Sequence, residues 1–341
     1  VARKAPRKSG TKPLPRISVV IPVLNGEVPL RKCLDSLKSQ DYPWKLIDLI
    51  VVDDDSSDGT VKLSKSYGAR IVKNGQRHIE RGKALGLRAA KNELVLFLDA
   101  DNYFVSPHWL PSAVAAIQSD ALVVGVESAR FHYQATDPAA NRYCSLMGIN
   151  DPMAFYLGKR DRLTAWEDHW TLLGKLVGEE AGFWKLEFSR DAVPTVGSQG
   201  YLTRKSLLNK ASHWPYLFHM DANVELIAQG HNRYVLLKEA VGHDHCKDAS
   251  AFLKKCRRNL DLFFKWRHLR KYTWETPRGE FILTVLSMVT LARPLVDALR
   301  GFASKPDAAW FLHPVMSFAV PVMYTLQTLA HSLKGSPTHE S

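Results

Sequence analysis

Cysteine is scarce in this chain: Cys33, Cys144, Cys246 and Cys256 are the four among 341 residues, and no two form a Cys-x-x-Cys pair. So few cannot staple a chain of this length, and a reducing compartment is the simpler setting. A zinc cluster drawn from His243, His245, Cys246 and Cys256 is not expected, because Cys256 falls in a segment patterned as a basic helix. A Gly-x-Gly-x-x-Gly turn is also missing after the first apolar strand, where Asn25-Gly26-Glu27 offers one glycine, which argues against a dinucleotide-dependent dehydrogenase. The glycine-rich basic loop that a pyrophosphorylase would carry there is absent as well. Apolar runs are short: residues 281–292 fall below the about 20 a membrane span requires, and residues 308–333 are diluted by His313, Gln327 and His331.

Acid is in deficit. Lys and Arg number 46 against 34 Asp and Glu, a net charge of +12 that favours anionic partners without choosing among nucleotide, nucleic acid and lipid headgroup. With 45% hydrophobic and 23% charged residues the chain reads as globular rather than disordered. Part of the basic excess lies in residues 1–16, where Arg3, Lys4, Arg7, Lys8, Lys12 and Arg16 occur without an acid. This segment is expected to be a flexible arm, either plainly solvated or attracted to anionic membrane by about 1 kcal/mol per basic residue. It has no apolar core of the signal-peptide kind.

From residue 17 to about 126, short β-branched runs alternate with amphipathic segments, the pattern of a mostly parallel sheet covered by helices. Strands are predicted at 17–23, 48–53, 69–72, 94–98 and 122–126. Leu30, Leu34 and Leu37 mark a helix between the first two, and residues 60–67 another. Two of these strands end in acid: Leu49-Ile50-Val51-Val52 runs into Asp53-Asp54-Asp55, and Leu94-Val95-Leu96-Phe97-Leu98 into Asp99-Ala100-Asp101. Ligands of open α/β sheets bind outside such carboxyl ends. Oxygen donors there suit a divalent cation carrying a diphosphate.

Taken in order, Ile17 to Gly26, Ile50 to Thr60, Arg81-Gly82-Lys83 and the Asp99-x-Asp101 pair resemble the inverting, nucleotide-sugar-dependent glycosyltransferases of family 2, which have the GT-A fold. The resemblance extends over residues 17–245. It implies transfer of a sugar from a UDP- or GDP-sugar, with Mg2+ or Mn2+ on the diphosphate and a carboxylate base on the acceptor hydroxyl. By the same resemblance Pro22, Asn25, Asp53 and Asp54 read the nucleoside, with Asp54 at the base. Lys83 approaches the phosphates unless it lies, with Arg81, in an exposed first helical turn. Asp101 would bind the metal while Asp99 addresses the ribose or the metal's water shell. Asp55 stands where the family usually has glycine, and Asp55 and Asp58 otherwise read as turn caps.

The segment Gly197 to Arg204 followed by Phe218-His219-Met220-Asp221 matches the family's acceptor side, with Met220 in place of its usual Glu. Asp221 is the candidate general base and Glu225, one helical turn on, the second candidate. As a plain helix N-cap, Asp221 would precede residues 222–228. His243 or His245 could complete the metal shell, with His245 preferred. Residues 129–193 are expected to be helices over the acceptor side, their tryptophans mainly in packing roles.

After residue 249, Lys254, Lys255, Arg257, Arg258, Lys265, Arg267, Arg270 and Lys271 interleave with Phe252, Leu253, Leu260, Phe263, Phe264 and Trp266, a basic amphipathic helix. The expected organisation is a basic arm (1–16), a GT-A catalytic domain (17–248, with a nucleotide-binding half 17–126 and an acceptor half 127–248), basic and apolar helices that associate with a membrane (249–335), and a tail (336–341). The matching function is metal-dependent glycosyl transfer to a glycan or lipid-linked acceptor, peripheral or monotopic at the cytoplasmic membrane face. Competing readings are a soluble glycosyltransferase with a small or protein acceptor and, more remotely, a basic nucleic-acid-binding protein; no nucleic-acid partner is expected, since aligned strand-end carboxylates repel phosphate unless a metal intervenes.

Overall fold

The computed structural model describes residues 13–272 and 276–333; most of the basic arm and the whole tail lie outside the described residues. The first half alternates strand and helix. β1 (Ile17–Val23), α1 (Glu27–Lys38), β2 (Ile47–Asp53), α2 (Thr60–Ser66), β3 (Arg70–Lys73), α3 (Ile79–Ala89), β4 (Leu94–Phe97), β5 (Asn102–Phe104), α4 (Trp109–Ser119) and β6 (Val123–Ser128) follow in turn. The second half contains α5 (Ala139–Met147), α6 (Pro152–Tyr156), β7 (Lys175–Glu180), β8 (Phe183–Glu187), β9 (Tyr201–Arg204), α7 (Lys205–Leu208), α8 (His219–Ala228), β10 (Arg233–Leu237) and β11 (Val241–His243). It closes with α9 (Ala249–Trp266), α10 (Arg278–Val289), α11 (Ala292–Ser304) and α12 (Leu312–Leu333).

Nine strands form one sheet in the order β3-β2-β1-β4-β9-β6-β10-β8-β7. β3, β2, β1 and β4 are parallel, each reached by a helical crossover, and β1 is buried along its whole length. Its alternate residues serve two cores: Ile17, Val19 and Ile21 pack on one face with Leu30 and Leu34 of α1, while Val20 packs on the other with Ala84 and Leu87 of α3. That two-sided burial is why parallel strands read as unbroken apolar runs. α3 lies close on β1 because Gly86 carries no side chain: a Cβ there would come within 2.2 Å of Val20.

Beyond β4 the sheet becomes mixed. β9 lies antiparallel between β4 and β6, and β8 runs antiparallel to β10. Residues 129–193, expected to be helical, are therefore only partly so: they contain the β7–β8 hairpin. Gly174, just before β7, takes φ 101°, and Gly182 lies in the hairpin turn. β7 is largely exposed, which is why no apolar alternation announced it. Trp184 and Trp170 are buried and adjacent, and Trp166 lies against Trp310, the packing role expected of them.

A third apolar cluster joins α5 and α6 to α9 through α12, so the C-terminal helices share a core with the acceptor half. His313, fully buried, lies 3.1 Å from the Tyr143 hydroxyl and 2.8 Å from that of Tyr156; Arg142 pairs with Asp307 at 2.8 Å. α12 continues through Pro321 rather than stopping there, while Pro314 sits in the first turn, where no amide partner is needed. The helix running over residues 308–333 is long and apolar enough to cross a membrane, with 44% of its most apolar window buried in the protein. α10 and α11 meet at a 63° bend where Leu291 adopts φ 64°.

Candidate active site

The strand order reverses between β1, which pairs with both β2 and β4, and the later strands, and the acidic strand ends lie beside this point. Asp53 closes β2 and accepts the amide of Ser56 at 3.2 Å; Asp54, also buried, accepts that of Arg77 at 2.6 Å. Asn25 is exposed and in the left-handed region, its Oδ1 accepting the Ser57 amide at 2.8 Å. Asp55 takes φ 64°, the conformation glycine serves best and Asp tolerates. Asp58 accepts the amides of Glu27 and Thr60, holding the turn ahead of α2.

Pro22, Asp54, Arg77, His78, Phe218 and Trp266 line a cavity of about 570 Å³, roofed by α9 and by Arg270 beyond it. Lys83 is buried in α3, not exposed in its first turn, and its ammonium stands 3.9 Å from Asp99 Oδ1. Arg81 behaves differently: it stacks over Trp214 and donates to the Pro215 carbonyl.

The acidic pair is completed from far along the chain. β11 pairs antiparallel with β5 so that His243 faces Asn102, and the amide of Asp244 donates to the Asp101 carbonyl at 3.0 Å. His243 Nε2 comes to 3.5 Å of Asp101 Oδ2. His245, the residue preferred from sequence, turns elsewhere: its Nδ1 lies 3.3 Å from the Lys255 ammonium, and it groups with Cys144 and Cys246, ligand atoms within 4.8 Å of one another. His245 lies beyond the end of β11, so strand alternation does not fix its direction, and the His-x-His spacing alone could not assign the ligand. Cys256 lies apart, its Sγ against the Asn150 carbonyl.

Burial pushes the Asp99 carboxyl above the usual carboxylate range, with Lys83 working against it. Burial also acts on Asp101, but there His243 and Lys255 win and hold the group well below that range. Asp99 Oδ1 is buried and without a hydrogen-bond partner. Two carboxylates and an imidazole nitrogen, one oxygen unsatisfied, are a donor set suited to Mg2+ or Mn2+.

Asp221 lies in the first turn of α8, which Phe218 rather than Asp221 caps; the helix begins earlier than the plain N-cap reading required. Its carboxylate is buried, accepting Arg270 Nε at 3.0 Å and the Lys271 amide at 2.7 Å. Arg270 lines the larger cavity and Asp221 does not, so the candidate base meets that cavity through the guanidinium. Glu225 accepts the Ser212 hydroxyl at 2.7 Å and the ammonium of Lys271 at 3.2 Å, the residue whose amide binds Asp221. Burial raises its pKa, and the Ser212 hydrogen bonds overcome that and lower it.

A second cavity of about 130 Å³ is lined by Phe131, Asn150, Asp161, Arg162, Thr195 and His219. In the wall of this cavity, Phe131 is 5.3 Å from the His243 ring, and His219 is two residues before Asp221 in sequence. Burial pushes His219 down to about 3, and burial raises Glu127, which neighbours Arg162 and Asp161. Arg162, Lys255 and Arg270 were not singled out as site residues from sequence; a lone basic residue in a basic stretch carries no distinguishing spacing.

Residues 18–166 match the family described as glycosyl transferase family 2. A glycosyltransferase of Haloferax volcanii, AglE, is 30% identical over 147 residues, 41% of this chain and 47% of that protein. The poly(ribitol-phosphate) beta-N-acetylglucosaminyltransferase TarS of Staphylococcus aureus is 32% identical over 118 residues, 32% of this chain and 20% of that protein. The chain thus spans about half of the first relative and a fifth of the second. A mannosyltransferase of Pyrobaculum calidifontis, solved with GDP-Man and Mn2+, superposes with TM-score 0.52 at 16% identity over 94% of this chain and 87% of that one. With four parallel strands, an Asp-x-Asp at the end of β4 and this likeness of fold, residues 18–166 are a glycosyl transferase family 2 domain within a GT-A-like α/β fold.

Proposed function

We propose that this chain transfers a sugar from a UDP- or GDP-sugar to a hydroxyl of a glycan or lipid-linked acceptor, inverting the anomeric centre, with Mg2+ or Mn2+ on the diphosphate. The observation that carries this reading is the convergence of Asp53-Asp54 and of Asp99, Asp101 and His243 beside the point where strand order reverses. Asp54 and Pro22, in the wall of the larger cavity, read the nucleoside with Asn25 and Asp53, and Lys83, 3.9 Å from Asp99, pairs with the phosphates. Asp101 and His243, with Asp99, hold the cation. When bound, that cation offsets the charge developing on the departing diphosphate.

The acceptor approaches from the smaller cavity, whose polar wall of Asn150, Asp161, Thr195 and His219 can hydrogen-bond to hydroxyls. Asp221 removes the proton as the hydroxyl oxygen attacks the anomeric carbon, a single displacement that inverts configuration. For this the Arg270 side chain must yield its place on the carboxylate, and α9 and the segment after it are the elements that would carry the motion.

The membrane-facing part of the proposal rests on one surface. Phe281, Ile282, Leu283 and Leu286 of α10, Leu295, Val296 and Leu299 of α11, and Val315, Phe318 and Leu326 of α12 are exposed. So many large apolar side chains on adjoining helices, in a chain of net charge +12, suit in-plane attachment to an anionic bilayer.

Calorimetric titration of UDP- and GDP-sugars with and without Mn2+, beside a salt-dependent DNA mobility shift, tests the reading. Metal-dependent affinity for one donor is expected. Binding of DNA without affinity for either donor overturns it.

A further inference from the structure

Lys255 projects from α9 into the acidic pair, and its ammonium is shared among three acceptors: Asp101 Oδ2 at 3.3 Å, the His245 carbonyl at 3.0 Å and His245 Nδ1 at 3.3 Å. The same Asp101 oxygen faces His243 Nε2 at 3.5 Å, so Lys255 stands beside the two donors best placed to hold a cation. On the other carboxylate, Lys83 stands 3.9 Å from Asp99 Oδ1. Two carboxylates are thus matched by two ammonium groups.

A divalent ion bound to Asp101 and His243 would sit at about 2.1 Å from each ligand atom. It would then lie within a few ångströms of the Lys255 ammonium, a repulsion of like charges in a partly buried place. The two compete for the Oδ2 oxygen of Asp101. The backbone of Lys255 is held, because its neighbours Phe252 and Cys256 are buried in the third core cluster. Its stem of four methylenes leaves the ammonium free to relocate, and a diphosphate beside the metal offers it a new anionic partner.

We infer that Lys255 is a built-in counter-cation of Asp101 that gives way to the metal when a nucleoside diphosphate arrives, and then pairs with the diphosphate, so that metal and donor bind as a coupled pair. The inference rests on the proposed donor site. It adds a residue that couples two ligands and that lies outside the matched family segment.

Coupling of this kind is reciprocal in binding free energy, so it is measurable without turnover. Mn2+ affinity of the full chain is to be read by electron paramagnetic resonance, with and without saturating UDP or GDP, for the unaltered protein and for Lys255→Met, Lys255→Gln and Lys255→Arg. In the unaltered protein Mn2+ should bind weakly alone and at least tenfold more tightly with the nucleotide. Lys255→Met and Lys255→Gln should bind Mn2+ alone about tenfold more tightly, having lost the competing charge, while nucleotide adds less than it did. Lys255→Arg should restore the coupling. Equal Mn2+ affinity and equal coupling in all four proteins overturns the inference and leaves the donor site standing. Absence of both Mn2+ and nucleotide binding in the unaltered protein overturns the donor site, and this inference with it.

Discussion

Arg270 holds Asp221: Nε and Nη2 of the guanidinium both lie 3.0 Å from the same carboxylate oxygen, and the Lys271 amide takes the other at 2.7 Å. The pair couples the first turn of α8 to the segment after α9, and so links the candidate base to the roof of the larger cavity. A buried carboxylate held this firmly is oriented, and it is also occupied.

Asp221→Asn keeps the shape and removes the base. Turnover should fall by about 10²- to 10⁴-fold, far more than donor affinity changes through the freed Arg270. Glu225→Gln, altering a residue engaged by Ser212 and Lys271, should change turnover by less than tenfold. Rates from radiolabelled sugar transfer and donor affinities from calorimetry separate the two, and the opposite ranking would move the base to Glu225.

The ring nitrogen nearest Asp101 belongs to His243. His243→Ala should weaken Mn2+ binding in the presence of nucleotide by roughly tenfold or more, and His245→Ala by less. Asp101→Ala should abolish the metal's effect on donor binding. Titration of Mn2+ against each variant decides, and a larger loss from His245→Ala would restore the preference drawn from sequence.

Exposed side chains on α10 and α11 should govern membrane attachment. Replacing Leu283, Val296 and Leu299 together with Ser should release the chain from anionic vesicles in a sedimentation assay while leaving its circular dichroism unchanged. Raised salt should weaken binding of the unaltered chain without eliminating it, since the apolar contribution is not screened. A chain indifferent to anionic vesicles at any ionic strength would refute attachment by this face.

Glu167 reports on acid stability. Burial would raise its pKa, but the bidentate Arg160 pair, at 2.7 and 2.8 Å, and the Thr164 amide lower it to about 2. Because the folded value lies below the unfolded one near 4.3, the contribution is full above about pH 4.5 and is lost as pH falls toward 2. After discounting for solvent screening, it amounts to about 2 kcal/mol at neutral pH. Urea unfolding of Glu167→Gln should show lower stability at pH 7 and a shallower decline between pH 4.5 and 2.5 than the unaltered chain.

Trp310 anchors the C-terminal helices. It is fully buried, rests against Trp166 and Gly301, and donates its indole N–H to the Lys305 carbonyl at 2.8 Å. Trp310→Ala should cost about 3–5 kcal/mol, seen as a lowered denaturation midpoint. A loss under 1 kcal/mol would mean that α11 and α12 do not depend on this contact.

The strands that carry the nucleotide half, and the acids at their ends, were legible in the chain. The runs at residues 19–23, 49–52 and 94–97 are buried and apolar throughout, and the first polar residues after them mark the edge of the sheet where ligands meet it. Asp53, Asp54, Asp99 and Asp101 stand at those edges. Helix α9 was equally readable, its buried Phe252 and Cys256 set among basic residues at helical spacing.

Tertiary structure alone decided which distant groups reach those acids. The β5–β11 ladder chose His243 over His245 for Asp101, α9 brought Lys255 to the same carboxylate, and the turn after α9 set Arg270 on Asp221. The hairpin β7–β8 and the insertion of β9 between β4 and β6 were likewise invisible, because an exposed strand needs no apolar alternation and antiparallel insertion depends on a partner elsewhere in the chain. Local patterning reflects what a residue buries within a few neighbours, which is enough to define a strand and its polar end. Pairing across a hundred or more residues is settled only when the sheet closes, and that closure turned separate acids, imidazoles and ammonium groups into one site.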